Sequence, residues 1–213
     1  ERERPNGRVL EVRSVPLPDG GTVRTYTDIT ERKRHEREII RLAHGDGLTG
    51  LANRASFRNR LCSACADLAH GGAPFALLCL DLDRFKHVND SLGHPVGDSL
   101  LQEVARRLSA LVGPNDLVAR LGGDEFAILL SGCEEAGEFE AFSERIVDAI
   151  DTEFRSDMMV SEVSVSGGGV IAPRDGDDPD ELMRRADLAL YDAKARGRGI
   201  VRAFEPALER ASR

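Results

Sequence analysis

The spacing of apolar and polar positions changes character twice along the chain, and those changes divide it before any motif is considered. Arg8 to Val15 and Thr22 to Thr27 read as extended runs joined by Pro16-Leu17-Pro18-Asp19-Gly20-Gly21, whose Pro and Gly residues favour a turn, so a hairpin is expected. Two strands alone are marginal in water, so this hairpin is expected to be the remnant of a larger sheet or to dock on something else. Asp28-Ile29-Thr30 then opens a charged helix through about Leu42, with Asp28 or Thr30 as its cap and Ile29, Ile39, Ile40 and Leu42 as a thin apolar stripe. With fewer than two clean heptads, the stripe suits a solvated spacer as well as a two-stranded coiled coil.

From Asp46 onward helical and strand periods interleave. Asn53 to Ala69 is an amphipathic helix stopped by Gly71-Gly72, and Phe75 to Leu80 is a continuous apolar run, a strand buried on both faces that ends in Asp81. Leu100, Leu101, Val104, Ala105, Leu108, Leu111 and Val112 recur at helical spacing until Gly113-Pro114. Leu117 to Leu121 and Glu125 to Leu130 are short strands about Gly122-Gly123-Asp124, a tight hairpin whose turn presents acids. Gly137 to Ile150 follows as a helix, and Val160 to Ala172 as one long strand holding Gly167-Gly168-Gly169. Asp178-Pro179 starts a helix with Leu182, Met183, Ala186, Ala189, Leu190 and Ala193 on its buried face and Gly197 as a left-handed stop, and Ile200 to Phe204 is a last strand. Because the hairpin demands antiparallel pairing, the expected fold is α/β, a ferredoxin-like or cyclase-like sandwich with a central mixed sheet flanked by helices, preceded by the N-terminal hairpin and linker helix.

Length and charge narrow the function. At 213 residues the chain suits one full domain plus an extra segment. Its 29 basic residues against 37 acidic ones give a net charge of −8, which disfavours nucleic acid as a partner while leaving mononucleotides open. No run reaches the roughly 18 apolar residues of a membrane span and residues 1–8 carry no apolar signal core, so no membrane contact by this segment is expected. Cys62 and Cys65 form a CxxC, but they fall within the helical stripe of Phe57, Leu61 and Leu68 and lack a second ligand pair, so they read as packing or surface thiols of a reducing cytoplasm.

Three segments carry candidate chemistry. Asp81 and Asp83 project to one side of a strand end and can share a hard cation, or they can cap the helix that starts at Phe85. Asp124 and Glu125 sit in the hairpin turn, where Gly and Asp are also ordinary turn residues. Lys194 and Arg198, four apart at a helix end, can reach one anion or simply complement the negative helix terminus. Taken together, the acids would form an oxygen-rich site for Mg²⁺ with open positions for phosphate oxygens, and the bases would complete it. Between them, Asn89 and Asp98 have the right groups for guanine, since a carboxylate accepts from N1–H and N2–H₂ and an amide can meet O6 or N3; Asp98 equally suits a helix N-cap. His94, before a Pro, reads as structural, and no Walker-type phosphate loop occurs.

These residues resemble a GGDEF domain, the diguanylate cyclase family. The likeness is carried in order by Asp46-Gly-Leu-Thr-Gly-Leu-Ala-Asn-Arg54, Asp81-Leu-Asp-Arg-Phe-Lys86, Asn89-Asp90, Gly93-His94 with Gly97-Asp98, Gly122-Gly-Asp-Glu-Phe126, and Tyr191-Asp-Ala-Lys194 with Gly197-Arg198. It implies a domain over residues 46–204, preceded by a PAS-like hairpin remnant (1–27) and a signalling helix (28–45). The tail, 205–213, is similar to the linker that often leads into an EAL phosphodiesterase domain. The implied activity is condensation of two GTP into cyclic di-GMP with release of two pyrophosphates, by a homodimer under an upstream sensor. By the same resemblance Asp81, Asp124 and the Leu82 carbonyl hold Mg²⁺ (or Mn²⁺), Asp124 and Glu125 are catalytic, and Asn89 and Asp98 read guanine. The Phe85 and Lys86 amides, with Lys194 and Arg198, hold phosphates. The location implied is cytoplasmic, with any membrane attachment outside this segment. One departure matters: members inhibited by product often carry RxxD, where this chain has Gly113-Pro114-Asn115-Asp116, so no inhibitory site is expected and Asp116 alone would repel phosphates.

Other classes fit less well. A catalytically silent GTP-binding regulatory module has less need of Asp81, Asp124, Glu125, Lys194 and Arg198 together. A cyclase accepting ATP is disfavoured by Asp98, since adenine offers an acceptor at N1. An interaction scaffold built on the linker helix explains none of the acids.

Overall fold

The computed structural model describes residues 1–16, 18, 20–156 and 159–211, in two compact units, Glu1–Gly45 and Asp46–Arg213. The first is an antiparallel sheet in the order β1 (Arg2–Glu3), β2 (Val9–Pro16), β3 (Thr22–Asp28), followed by α1 (Thr30–His44). The expected hairpin is β2–β3, although Leu17 and Asp19 of its turn lie outside the described residues. Sequence pattern missed β1, a two-residue strand with no period to detect. Sheet and helix are tied at several points, with Lys33 paired to Glu1 at 3.2 Å, Arg32 to Glu11 at 3.9 Å, and Thr30 at the junction. The Thr30 hydroxyl accepts the Val9 N–H at 2.9 Å and donates to the Asp28 carboxylate at 2.6 Å, while Ile29 is buried beside them. The hydroxyl and backbone N–H of Thr30 hold the Asp28 carboxyl below the ordinary carboxylate range. The side chains of Ile39, Ile40 and Leu42 lie outside what is described.

The second unit runs β4 (Ala52–Asn53), α2 (Arg54–Ala69), β5 (Phe75–Leu82), α3 (Phe85–Leu92), α4 (His94–Leu111), β6 (Leu117–Gly122), β7 (Glu125–Ser131), α5 (Ala136–Ile150), β8 (Thr152–Ser156), β9 (Met159–Val163), β10 (Val165–Ala172), α6 (Pro179–Ala195), β11 (Val201–Ala203) and α7 (Pro206–Ala211). Six strands form one sheet in the order β11-β10-β5-β7-β6-β4, parallel at its two outer pairs and antiparallel within, which is the mixed sheet expected. β5 is its centre. Ala76, Leu78, Leu80 and Leu82 face a core shared with α3, α4 and α5, and Phe75, Leu77 and Cys79 face a second core shared with α2 and α6. Each large side chain so buried contributes about 1.5–3 kcal/mol, so the strand that carries the acids is anchored from both sides. Gly168 explains how closely α6 lies on the sheet: a Cβ there would stand 2.0 Å from the Leu190 nitrogen and 2.3 Å from the Ala186 oxygen. Burial pushes the Cys79 thiol well above its ordinary range, and Cys65 up to about 11, so neither is reactive.

Three expectations need correction. The long strand from Val160 to Ala172 is two strands, β9 paired only with β8 and β10 in the main sheet, because the chain turns at Ser164 to bring its hydroxyl onto Asp83. The helix expected around Leu100 to Val112 begins at His94, so Asp98 lies within α4 and caps nothing. Cys62 is exposed while Cys65 is buried, so only one of the pair belongs to the apolar stripe. The tail forms α7, fastened to α6 by Glu209, which accepts from both Arg184 and Arg185.

Candidate active site

The site is assembled by register. β5 and β7 pair so that Asp81 stands opposite Glu125, and the Leu82 N–H donates to the Asp124 carbonyl at 3.3 Å. Two acidic segments far apart in sequence thereby meet at one corner. Burial raises the Asp81 carboxyl above its usual range, Asp124 and Asp83 push the same way, and Lys194 opposes them. The Lys194 ammonium lies 2.7 Å from Asp81, a monovalent cation set among carboxylates.

Asp83 does not share that role, contrary to the i, i+2 expectation. Its carboxylate is buried and accepts from the Ser164 hydroxyl at 2.9 Å, the Ser166 hydroxyl at 2.8 Å and the Gly199 N–H at 3.1 Å, with Arg198 Nε 3.8 Å away. Three donors hold it by hydrogen bonds and Arg198 adds an ion pair, so Asp83 fastens the tip of β5 to β10 and to the loop after α6. That loop carries Arg198 at φ 68°, between Gly197 and Gly199, also at positive φ. Lys194 and Arg198 are thus both brought to the acidic corner, but each rests on an aspartate rather than standing open.

Beyond β5 the chain reverses at Arg84, at φ 59°, and enters α3 with no side-chain cap. The first intrahelical bonds are those of His87 and Val88 to the Arg84 carbonyl, which leaves the Phe85 and Lys86 N–H groups without an acceptor among the described residues. Such a helix start attracts anions. α3 then packs on α4, where a Cβ on Gly97 would fall 1.9 Å from Asn89 Oδ1. Only glycine lets Asn89 lie there, next to the exposed Asp98.

Three residues that hold the corner were not identified as site residues from sequence. Arg120 on β6 donates through Nε and Nη2 to the Gly123 carbonyl at 3.0 and 2.8 Å, and through Nη1 to both Asp46 oxygens at 3.0 and 3.1 Å. Burial raises the Asp46 carboxyl, but bonds from Thr49 and Arg120 outweigh it and leave it below the usual range. Arg54 donates to the Leu121 carbonyl at 3.0 Å and to Glu125 at 3.1 Å. The Gly-Gly-Asp-Glu turn is therefore clamped by two guanidinium groups. A lone Arg in a strand leaves no periodic signal, which hides Arg120, whereas Asp46 and Arg54 open and close a recognisable motif that by itself gives them no partners.

The donor set suits a hard divalent cation. The β5–β7 register brings Asp81 to the hairpin turn that carries Asp124, and this corner already draws a cation in Lys194. Among the described residues no three His, Cys, Asp or Glu side chains close around one point. Asp116 accepts the Gly113 N–H at 2.8 Å and the Ser131 N–H at 2.9 Å.

Comparison with known proteins agrees with this geometry. A family model described as diguanylate cyclase, GGDEF domain, matches residues 43–199, and a PAS fold model matches residues 1–37. Probable diguanylate cyclase DgcE of Escherichia coli K12 is 40% identical over 188 residues, which cover 87% of this chain and 17% of that protein. Among solved structures, the GGDEF domain of TpbB (YfiN) from Pseudomonas aeruginosa superposes with a TM-score of 0.76 at 38% identity, over 79% of this chain and 99% of that one. The coiled coil and GGDEF domain of DgcB from Caulobacter crescentus, in complex with c-di-GMP, gives 0.74 at 33% identity, over 82% and 93%. The chain spans about a quarter or less of the length of several curated relatives, 25%, 22%, 17% and 27% for four of them.

Proposed function

The chain belongs to the GGDEF family of diguanylate cyclases, with the end of a PAS fold ahead of that domain, and from that premise we propose that it condenses two GTP molecules into cyclic di-GMP. In this reaction the 3′-hydroxyl oxygen of each GTP forms a bond to the α-phosphorus of the other, the bond from that phosphorus to the pyrophosphate breaks, and two pyrophosphates leave. One subunit presents one nucleotide, so the working unit is a homodimer. Such transfer depends on positioning and charge neutralisation more than on covalent catalysis. The β5–β7 register, with Asp81 opposite Glu125 and Lys194 against Asp81, supports this reading most directly.

Asp81, Asp124 and the Leu82 carbonyl hold Mg²⁺ or Mn²⁺, which when bound supplies Lewis-acid charge neutralisation to the triphosphate. Asp124 and Glu125 serve the reacting centre, and Arg54 keeps Glu125 oriented. The uncapped Phe85 and Lys86 amides take phosphate oxygens, joined by Lys194 and Arg198, which exchange their aspartate partners for the incoming phosphates. Asn89 and Asp98 select guanine. Residues 46–204 are the catalytic domain, 1–27 the PAS-like remnant, 28–45 the signalling helix that reports on an upstream sensor, and 205–213 a tail. No helix among the described residues is long and apolar enough to cross a membrane, and we place this segment in the cytoplasm, where GTP is found. Incubation of a dimeric preparation with GTP and Mg²⁺, beside Asp124→Ala, tests the proposal: cyclic di-GMP from the parent alone supports it, whereas GTP bound without turnover leaves the silent regulatory module.

A further inference from the structure

The edge of the main sheet at β11 opens into a cavity of about 430 Å³ between that strand and α5, and nothing assigned above uses it. Ile200 accepts the Gly167 N–H and Phe204 donates to the Gly169 carbonyl, so alternation turns the N–H and C=O groups of Val201 and Ala203 away from β10, along the open edge. The facing helix lines the cavity with two rows. Glu140, Glu144 and Asp148, at i, i+4 and i+8, form an exposed acidic row, and none of the three makes an ion pair or hydrogen bond among the described residues. Like charges at this spacing repel within a helix. The inner row carries Ser143, only 5% exposed, whose hydroxyl has no hydrogen-bond partner among the described residues. An orphaned buried hydroxyl is uncommon and marks a place where a partner is missing. Arg202, the one base of the lining, is already neutralised, with Asp192 at 3.5 Å and Glu205 at 3.3 Å.

We propose that this groove docks an extended basic segment of a partner protein, which adds to β11 as a further strand and sets its cationic side chains on the α5 carboxylates. Backbone pairing along an exposed edge gives affinity, and alternate side chains give specificity. The Ser143 hydroxyl supplies a hydrogen bond inside the groove, and Glu140, Glu144 and Asp148 set the charge of the occupant. The groove ends at Gly199, whose N–H is held by Asp83, one residue from Arg198. Occupancy therefore touches the loop that carries a phosphate-binding candidate without overlapping the acidic corner.

The test uses a fluorescent capped peptide of alternating Lys and Val, titrated into the full chain and followed by anisotropy. Saturable binding is expected, weakened roughly tenfold or more by the combined substitutions E140Q, E144Q and D148N, and by N-methylation of alternate peptide amides, which keeps the charge and removes the strand hydrogen bonds. Thermal melting of the triple variant at the parent temperature or above confirms that the fold is intact. Binding that ignores the three carboxylates, that is equal for the N-methylated peptide, or that does not saturate by about 1 mM would overturn the proposal.

Discussion

Replacing Arg120 by alanine removes the guanidinium that joins the hairpin turn to Asp46. The parent side chain makes two bonds to the Gly123 carbonyl and a bidentate pair with Asp46, with 12% and 20% of the Arg and Asp side chains exposed. Charge-assisted bonds of this kind are worth about 1.5–3 kcal/mol each and are not additive, and the variant also leaves Asp46 charged and half-buried without its counter-ion. A loss of about 2–4 kcal/mol follows, which in a chain of this size lowers the melting temperature by about 5–15 °C. Arg120→Lys recovers less than half, since an ammonium cannot fork onto two acceptors. The pH dependence has a definite sign. Asp46 titrates below its unfolded value, so its contribution is complete at neutral pH and is lost as pH falls through the folded value. The gap between parent and variant therefore narrows below about pH 4. Denaturant unfolding at several pH values, beside GTP turnover, measures both effects. Equal midpoints for parent and Arg120→Ala at neutral pH would refute the clamp, as would a gap that widens in acid.

Other expectations follow from the same contacts. Gly97→Ala should gain up to about 1 kcal/mol of helix propensity yet raise the GTP dissociation constant by about tenfold, because its Cβ would fall 1.9 Å from Asn89 Oδ1 and turn that amide away; calorimetric titration separates the two. Mg²⁺ at a hundredfold excess over its dissociation constant should stabilise the parent by about 2.7 kcal/mol and leave a chain carrying both Asp81→Asn and Asp124→Asn unshifted, as scanning calorimetry would record. Cyclic di-GMP should produce no tight noncompetitive inhibition, since Gly113 offers no guanidinium and Asp116 is committed to two backbone amides; tight inhibition in a product titration would contradict this.

The strands and helices that bury one face or two were readable from the chain, because α2, α4 and α6 carry apolar residues at helical spacing with Gly or Pro at their stops and β5 is a continuous apolar run ending in an acid. The grouping of Asp81 with Asp124 and Glu125 was also readable, but only by combining a strand, a hairpin and the family likeness. What escaped depends on single long-range bonds. Asp83 looks identical to Asp81 by spacing, and only Ser164, Ser166 and Gly199 give it a structural post. The same Ser164 interrupts a run that otherwise alternates as one strand. Arg120 stands alone in a strand with no period to mark it, and although Arg54 closes the Asp46–Arg54 motif, that motif does not announce its long-range bonds to the Leu121 carbonyl and Glu125.

The decisive measurement is a crystal structure with a non-reactive GTP analogue and Mn²⁺, located by its anomalous signal. The account predicts the ion about 2.1 Å from carboxylate oxygens of Asp81 and Asp124, phosphates on the Phe85 and Lys86 amides, and guanine between Asn89 and Asp98. A nucleotide bound elsewhere on the sheet, or an ion that leaves either aspartate uncoordinated, would contradict it.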